Sequence, residues 1–161
     1  MTRIAVYPGT FDPVTLGHLD LVDRGRHHFD RLVIAILRNT TKQPLFTVDE
    51  RIELLREAVK AWDNVEVASF DGLLVDYARQ IGASMILRGI RAVTDLEYEM
   101  QMAMMNRRMV PALETVFMVP SESYSYVSSR LVREVASLGG SAADLVPPHV
   151  AEVLHRRFEK D

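Results

Sequence analysis

Short runs of β-branched and other apolar residues alternate with amphipathic helical patterns from one end of this chain to the other, and that alternation leaves few folds open. Leu32-Val33-Ile34-Ala35-Ile36-Leu37 is the clearest run. It has no polar face, as expected of a strand in the middle of a parallel sheet, buried on both sides. Ile4 to Tyr7, Val65 to Phe70, Met85 to Leu87 and Thr115 to Val119 supply the other strand candidates. Helical patterns fill the intervals. One runs from Thr15 to Phe29, with Leu19, Val22 and Phe29 facing inward. Another is opened by the capping box Thr47-Val48-Asp49-Glu50 and runs to about Lys60, with Ile52, Leu55 and Val59 on one face. The turn Asp71-Gly72 leads into a third, containing Leu74, Val75 and Ala78 and closed by Gly82. Thr94-Asp95-Leu96-Glu97 reads as a second capping box, for a helix to about Arg108. Val127 to Leu138 is helical, Gly139-Gly140 breaks it, and a last helix follows Pro147-Pro148. The implied architecture is α/β: a doubly wound, five-stranded parallel sheet with helices on both faces, Rossmann-like in outline. Ligands of such sheets bind outside the carboxyl ends of the strands, where the strand order reverses.

Composition narrows the classes of function. The 161 residues suit one domain, residues 1–161, with a sizeable core, and 48% are apolar. Nineteen basic against 22 acidic side chains give a net charge of −3, so neither nucleic acid nor an anionic membrane is an expected partner. The absence of cysteine removes disulfides, thiolate metal sites and thiol nucleophiles together. With no signal-like leader and no apolar run of the roughly 18 residues that a membrane span needs, a cytoplasmic enzyme is expected. His27, His28, His149 and His155 have no metal-ligand spacing, and no dedicated protein metal site is expected.

The chemistry concentrates in Tyr7-Pro8-Gly9-Thr10-Phe11-Asp12-Pro13-Val14-Thr15-Leu16-Gly17-His18. A strand, a constrained loop and a helix start follow one another here. Gly17 and His18 fall in the first turn, where free N–H groups and the positive end of the helix dipole favour an anion. A glycine in a helix costs roughly 1 kcal/mol relative to alanine, so a packing or ligand reason stands behind Gly17. The stretch is neither a G-x-G-x-x-G fingerprint nor a Walker lysine motif. Lys42, in a polar loop, and Arg88 and Arg91, on either side of Gly89, are cations suited to phosphate or are solvated loop charges. Tyr124 to Arg130 place serines at a helix start, as caps or as phosphate donors. Met100, Met102, Met104, Met105 and Met109 do not keep to one stripe; core packing is the first reading and a subunit interface the second.

The first motif, together with Lys42-Gln43-Pro44-Leu45-Phe46, Arg88-Gly89-Ile90-Arg91, Asp95-Leu96-Glu97-Tyr98-Glu99 and Ser125-Tyr126-Val127-Ser128-Ser129, closely resembles the phosphopantetheine adenylyltransferases. These belong to the nucleotidyltransferase superfamily marked by [H/T]-x-G-H, and the resemblance covers most of the chain in order. It implies a Rossmann-like nucleotidyltransferase fold and transfer of adenylyl from ATP to 4′-phosphopantetheine, giving dephospho-coenzyme A and pyrophosphate, by direct in-line attack. It implies catalytic roles for Thr10, His18, Lys42 and Arg91. Thr10, Lys42, Leu74 and Arg88 would bind phosphopantetheine. ATP would meet Thr10, Phe11, His18, Gly89, Ile90, Arg91 and Glu99, and then Tyr124, Ser125, Tyr126, Val127, Ser128, Ser129 and Arg130 further along. Mg²⁺ is expected to arrive with ATP, coenzyme A to act as a possible feedback inhibitor, and the chain to form a homohexamer as a dimer of trimers. The family usually has serine or threonine where this sequence has Arg130, which either binds an outer phosphate or turns to solvent. A sister nucleotidyltransferase using another acceptor or CTP shares the first motif, and a non-catalytic nucleotide sensor is the third alternative.

Overall fold

Five strands form one parallel sheet in the computed structural model, which describes residues 1–38 and 43–159. They are β1 (Ile4–Gly9), β2 (Arg31–Leu37), β3 (Val65–Phe70), β4 (Met85–Gly89) and β5 (Glu114–Met118), in the order β3-β2-β1-β4-β5. The helices are α1 (Leu16–Gly25), α2 (Val48–Val59), α3 (Leu74–Gln80), α4 (Val93–Met109), α5 (Ser129–Ser137) and α6 (Pro148–Phe158). After β1 the chain turns towards β2, and after β4 towards β5, although β1 and β4 are neighbours. The reversal of strand order, and with it the expected ligand crevice, therefore lies between the ends of β1 and β4.

Alternation along each strand divides the core in two. Ala5, Tyr7, Leu32, Ile34, Ile36 and Leu87 face α1, α2, α5 and α6, meeting Val22, Leu55, Val132 and Leu154. Val6, Ala35, Phe70 and Ile86 face the other way, against Val75 and Ala78 of α3 and Leu113. Thr47 and Glu50 form the predicted reciprocal cap of α2 (3.2 and 2.7 Å). Gly72, Gly82 and Gly139 all have positive φ (78°, 72° and 83°), which explains the breaks read at those positions.

Several boundaries differ from expectation. α1 ends at Gly25 and not Phe29, because the chain tightens there into a 3₁₀ turn, Arg26–His28. An added Cβ at Gly25 would lie 2.9 Å from Leu87, so α1 packs on the sheet through this glycine. The start of α4 is Ala92-Val93 and not Thr94. The predicted Thr94–Glu97 box does not form; instead Asp95, three residues after the N-cap Ala92, accepts from the Arg91 and Ala92 N–H groups (3.4 and 3.3 Å). β4 runs on through Arg88 and Gly89, and α5 begins at Ser129 with Ser128 as its cap.

The largest correction concerns the methionines. Of α4, only Glu99 and Asn106 are buried, whereas Met100, Met104, Met105 and Met109 are exposed. Asp95, Glu99 and Asn106 are spaced at helical intervals and turn inward because the inner side of α4 borders cavities and not packed core. The methionines are left outside. Core packing is overturned as their explanation, and Met102 alone of the five lines a cavity. Among the described residues, no helix is long and apolar enough to cross a membrane.

Candidate active site

The turn from β1 to α1 is held in an uncommon shape. Phe11 has φ 48°, in the left-handed region, which costs a non-glycine residue about 1–3 kcal/mol and persists only when the surroundings enforce it. Its ring is buried edge-on between Tyr7 and His18, at centroid distances of 5.2 and 4.9 Å. Gly9 is required by this packing, since a Cβ there would meet the Phe11 ring at 2.8 Å. Gly17 is not forced in the same way. A Cβ on it would sit at ordinary contact, 3.5–3.7 Å from Thr15 and Tyr124, so the protein's own packing leaves room for alanine.

Thr15 is the N-cap of α1, and the residue that closes its capping box is His18. The Thr15 hydroxyl accepts from the His18 N–H (3.3 Å), and His18 Nδ1 accepts from the Thr15 N–H (3.0 Å). A backbone N–H can only donate, so Nδ1 is unprotonated and the ring proton sits on Nε2. Burial, then Arg91 and Arg88, lower the imidazole pKa from 6.5 to about 4. At neutral pH, His18 is thus an uncharged donor in a fixed tautomer. Sequence reasoning found His18 but missed this partnership, for which the Thr-x-x-His spacing at a helix start was the available signal.

Two adjoining cavities meet at this turn. The larger, about 560 Å³, is bordered by Thr10, Phe11, Gly17, His18, Arg88, Gly89, Arg91, Glu99, Tyr124, Val127, Ser128, Ser129 and Arg130. The smaller, about 380 Å³, is bordered by Leu37, Phe70, Leu74, Met102 and Asn106. Pro8, Gly9, Thr10, Arg88, Tyr98 and Glu99 border both. Among the charged groups of the larger cavity are four arginines, 88, 91, 130 and 133, against Asp95 and Glu99. Both carboxylates are engaged: Glu99 takes a bidentate pair from Arg88 (2.8 and 2.5 Å), and Asp95 lies 3.9 Å from Arg91. The excess is positive and suits a polyanion.

Arg88 also donates to the Pro8 carbonyl (2.9 Å), so it is fixed from two sides, and its bond to Glu99 holds its pKa above the usual arginine value. Arg91 Nη1 donates to the Val127 carbonyl (3.1 Å), tying the end of β4 to the serine segment. Ser128 caps α5 through the Leu131 N–H (3.1 Å), and Ser129 Oγ donates to the Pro13 carbonyl (2.7 Å). The segment after β5 is moored to α1 by Asp20, which accepts from the Ser121 N–H and hydroxyl (2.9 and 2.7 Å) and from Arg24 (2.9 Å). Burial pushes the Asp20 pKa up, but these donors outweigh it and hold the carboxyl below its ordinary range.

The structure therefore brings Thr10, Phe11, His18, Leu74, Arg88, Gly89, Arg91, Glu99, Tyr124, Val127, Ser128, Ser129 and Arg130 to the rims of two joined cavities. Ile90, Ser125 and Tyr126 are not among the lining residues. The Ile90 N–H pairs with the Met118 carbonyl (3.0 Å), the Ser125 hydroxyl donates to the Glu122 carbonyl (2.9 Å), and Tyr126 is exposed. Lys42 lies outside the described residues. Arg133, one turn beyond the serines, borders the larger cavity and was not anticipated. Among the described residues, no three His, Asp or Glu side chains cluster to hold a metal ion.

The cytidylyltransferase-like family profile matches residues 6–135. The chain is 52% identical over 158 residues to phosphopantetheine adenylyltransferase of Caldanaerobacter subterraneus subsp. tengcongensis, covering 98% of this chain and 99% of the relative. It is 56% identical over 158 residues to phosphopantetheine adenylyltransferase of Anaeromyxobacter dehalogenans, covering 98% and 96%. A putative nicotinate-nucleotide adenylyltransferase of Vibrio parahaemolyticus has the same fold, with a TM-score of 0.70 at 17% identity over 96% of this chain and 99% of that one. With near-complete coverage at more than half identity, and the strand-turn-helix of His18 in place, this chain belongs to the phosphopantetheine adenylyltransferases, within the cytidylyltransferase-like family.

Proposed function

We propose that the chain, acting as one nucleotidyltransferase domain, transfers the adenylyl group of ATP to 4′-phosphopantetheine and releases pyrophosphate and dephospho-coenzyme A. The observation that carries the chemistry is the neutral His18, its Nδ1 engaged by Thr15 and its Nε2 left with the proton at the cavity rim. The acceptor is a phosphate that is already ionised, so no general base is needed. Its oxygen attacks the α-phosphorus in line, a new P–O bond forms, and the bond to the β-phosphate's bridging oxygen breaks to release pyrophosphate. Charge developing on the α-phosphoryl oxygens is stabilised by the Nε2–H of His18 with Thr10 and Arg91, and catalysis rests on positioning and electrostatics.

The two cavities support a division of substrates. The larger, with its arginines, Gly89, Glu99 and the segment from Tyr124 to Arg130, suits ATP. Glu99 can hold Arg88 and still face the nucleotide, because each carboxylate oxygen has a second lone pair. The smaller, lined by Leu37, Phe70, Leu74 and Met102, suits the pantetheine arm. Thr10 and Arg88 border both, where the two phosphates must meet, and Lys42 joins them in this reading. Mg²⁺ is part of the substrate, carried on ATP's phosphates, since the described residues near His18 offer hydroxyls and cations but no free carboxylate cage. The exposed methionine face of α4 is assigned to a homohexamer. Coenzyme A, which contains the product, is a feedback ligand of the same cavities, and the reaction belongs to the cytoplasm, where ATP is made available.

Pyrophosphate release should be measured with ATP and CTP against a panel of phosphate acceptors, in the wild type and in His18→Ala. Release with ATP and phosphopantetheine alone, lost by orders of magnitude in His18→Ala, is expected. Release with CTP or a nicotinate nucleotide, or a wild-type rate for His18→Ala, refutes the reading.

A further inference from the structure

Arg51 of α2 is the most deeply buried charged side chain among the described residues, only 1% exposed. Among those residues it makes no salt bridge; burial lowers its pKa, and the charge of Asp12, close by but without a direct ion-pair contact, partly offsets that. Its donors go to backbone carbonyls instead. Nε donates to Phe46 and Thr47 (3.1 and 3.3 Å), and Nη1 crosses to the carbonyl of Thr10 (2.8 Å). Asp12 ties the same two segments in the opposite sense, with its carboxylate accepting from the Leu45 and Phe46 N–H groups (2.8 and 2.9 Å). Arg133 Nη1 takes the Asp12 carbonyl (2.6 Å). The residue between Thr10 and Asp12 is Phe11, in its left-handed conformation and edge-on to His18. A buried cation is costly when an apolar side chain could fill the space, so a specific demand stands behind it. Arg51 pins Thr10, the residue before Phe11, while the Leu45 and Phe46 N–H groups and Arg133 pin Asp12, the residue after it.

We propose that Arg51 is a positioning residue for adenylyl transfer: by fixing the Thr10 carbonyl to the start of α2, it holds Phe11 in the left-handed conformation that seats the His18 imidazole. The inference rests on the reading of His18 as the donor to the α-phosphate. Arg51 lines neither of the two cavities, and it reaches the site through its bond to the Thr10 carbonyl. Its loss should therefore misplace His18 and lower kcat more than it weakens ATP binding.

Two readouts on the full chain test this. In Arg51→Met, kcat is expected to fall about 10- to 100-fold, the scale of a displacement near 1 Å, with KM for ATP little changed. In the ligand-free protein, the His18 ring protons should lose the ring-current shift that Phe11 imposes, a signal that a loss of stability elsewhere does not move. Wild-type kcat overturns the proposal, and so does a lowered kcat with unchanged His18 shifts. If Arg51→Met does not fold, Arg51→Lys decides by the same readouts, because one ammonium cannot span the Phe46 and Thr10 carbonyls as the guanidinium does. A wild-type Arg51→Lys refutes the proposal. His18→Ala separates the two levels: if it retains the wild-type rate, the reading of His18 falls, whatever Arg51 does to the spectrum.

Discussion

The neutral state of His18 should cost the fold stability in acid. In the unfolded chain the imidazole titrates at its ordinary 6.5; in the folded protein burial, then Arg91 and Arg88, bring it to about 4. Between those values the unfolded state binds a proton that the native state refuses, so stability rises with pH across the window and is lost as pH falls through it. The integrated penalty is about 2 kcal/mol at about pH 5 and approaches about 3 kcal/mol below pH 4. Both figures are ceilings, because the ring borders a cavity that water can enter. Urea unfolding of the wild type and of His18→Asn between about pH 7 and pH 4.5 isolates the effect, since asparagine does not titrate there. Carboxylates such as Glu66, held low by the Arg31 fork, lose stability in both proteins and cancel in the difference. The wild type should weaken relative to His18→Asn as the pH drops. The imidazole should titrate near 4 by NMR, and Arg91→Ala should move its midpoint upward. Parallel stability profiles, or a His18 midpoint near 6.5, would refute the argument that His18 is held neutral.

Gly17→Ala separates a ligand reason from a packing one. The methyl finds only ordinary contacts in the protein, so stability in urea should hold or gain up to roughly 1 kcal/mol, while ATP affinity falls; unchanged affinity would leave Gly17 without a ligand role. Arg130→Ser removes an exposed cation from the rim of the larger cavity and puts a hydroxyl in its place. ATP affinity by calorimetry should drop about tenfold at low salt, the scale of one charge-assisted hydrogen bond, and equal affinities would turn Arg130 out to solvent.

The sheet was legible because each strand announces itself alone: Leu32 to Leu37 is apolar throughout, and nothing but burial on both faces accommodates that. The cap of α2 was legible because Thr47 and Glu50 carry the familiar Thr-x-x-Glu spacing, whereas the same spacing at Thr94–Glu97 caps nothing and that of Thr15–His18 went unread. The helix at α4 was legible too, but its buried side was misread, for the complementary reason. Periodicity reports which residues differ from their neighbours, but not whether the element's inner side meets core or a cavity. Here the polar Asp95, Glu99 and Asn106 face inward and all the methionines but Met102 outward, the reverse of the rule on which the pattern is read.

The same distinction runs through the site. His18, Arg88, Arg91 and Ser128 could be read because a parallel sheet delivers its loops to one edge, whatever the loops contain. Their chemical states could not, because those depend on partners far away in the chain. Arg88 is held by Glu99 and by the carbonyl of Pro8, 80 residues away, and the Thr10 turn by Arg51, 41 residues on. None of these contacts leaves a local pattern, since a carbonyl acceptor belongs to every residue alike. The one exception is the Thr15–His18 cap, which sets the imidazole tautomer within a single turn. The His18 imidazole is thus oriented locally and early in the chain, while the arginines that tune and brace it arrive from β4 and the turn after it, from α2 and from α5. This arrangement makes His18 recognisable from sequence, while its chemical state depends on residues that sequence alone would assign to solvent or to salt bridges.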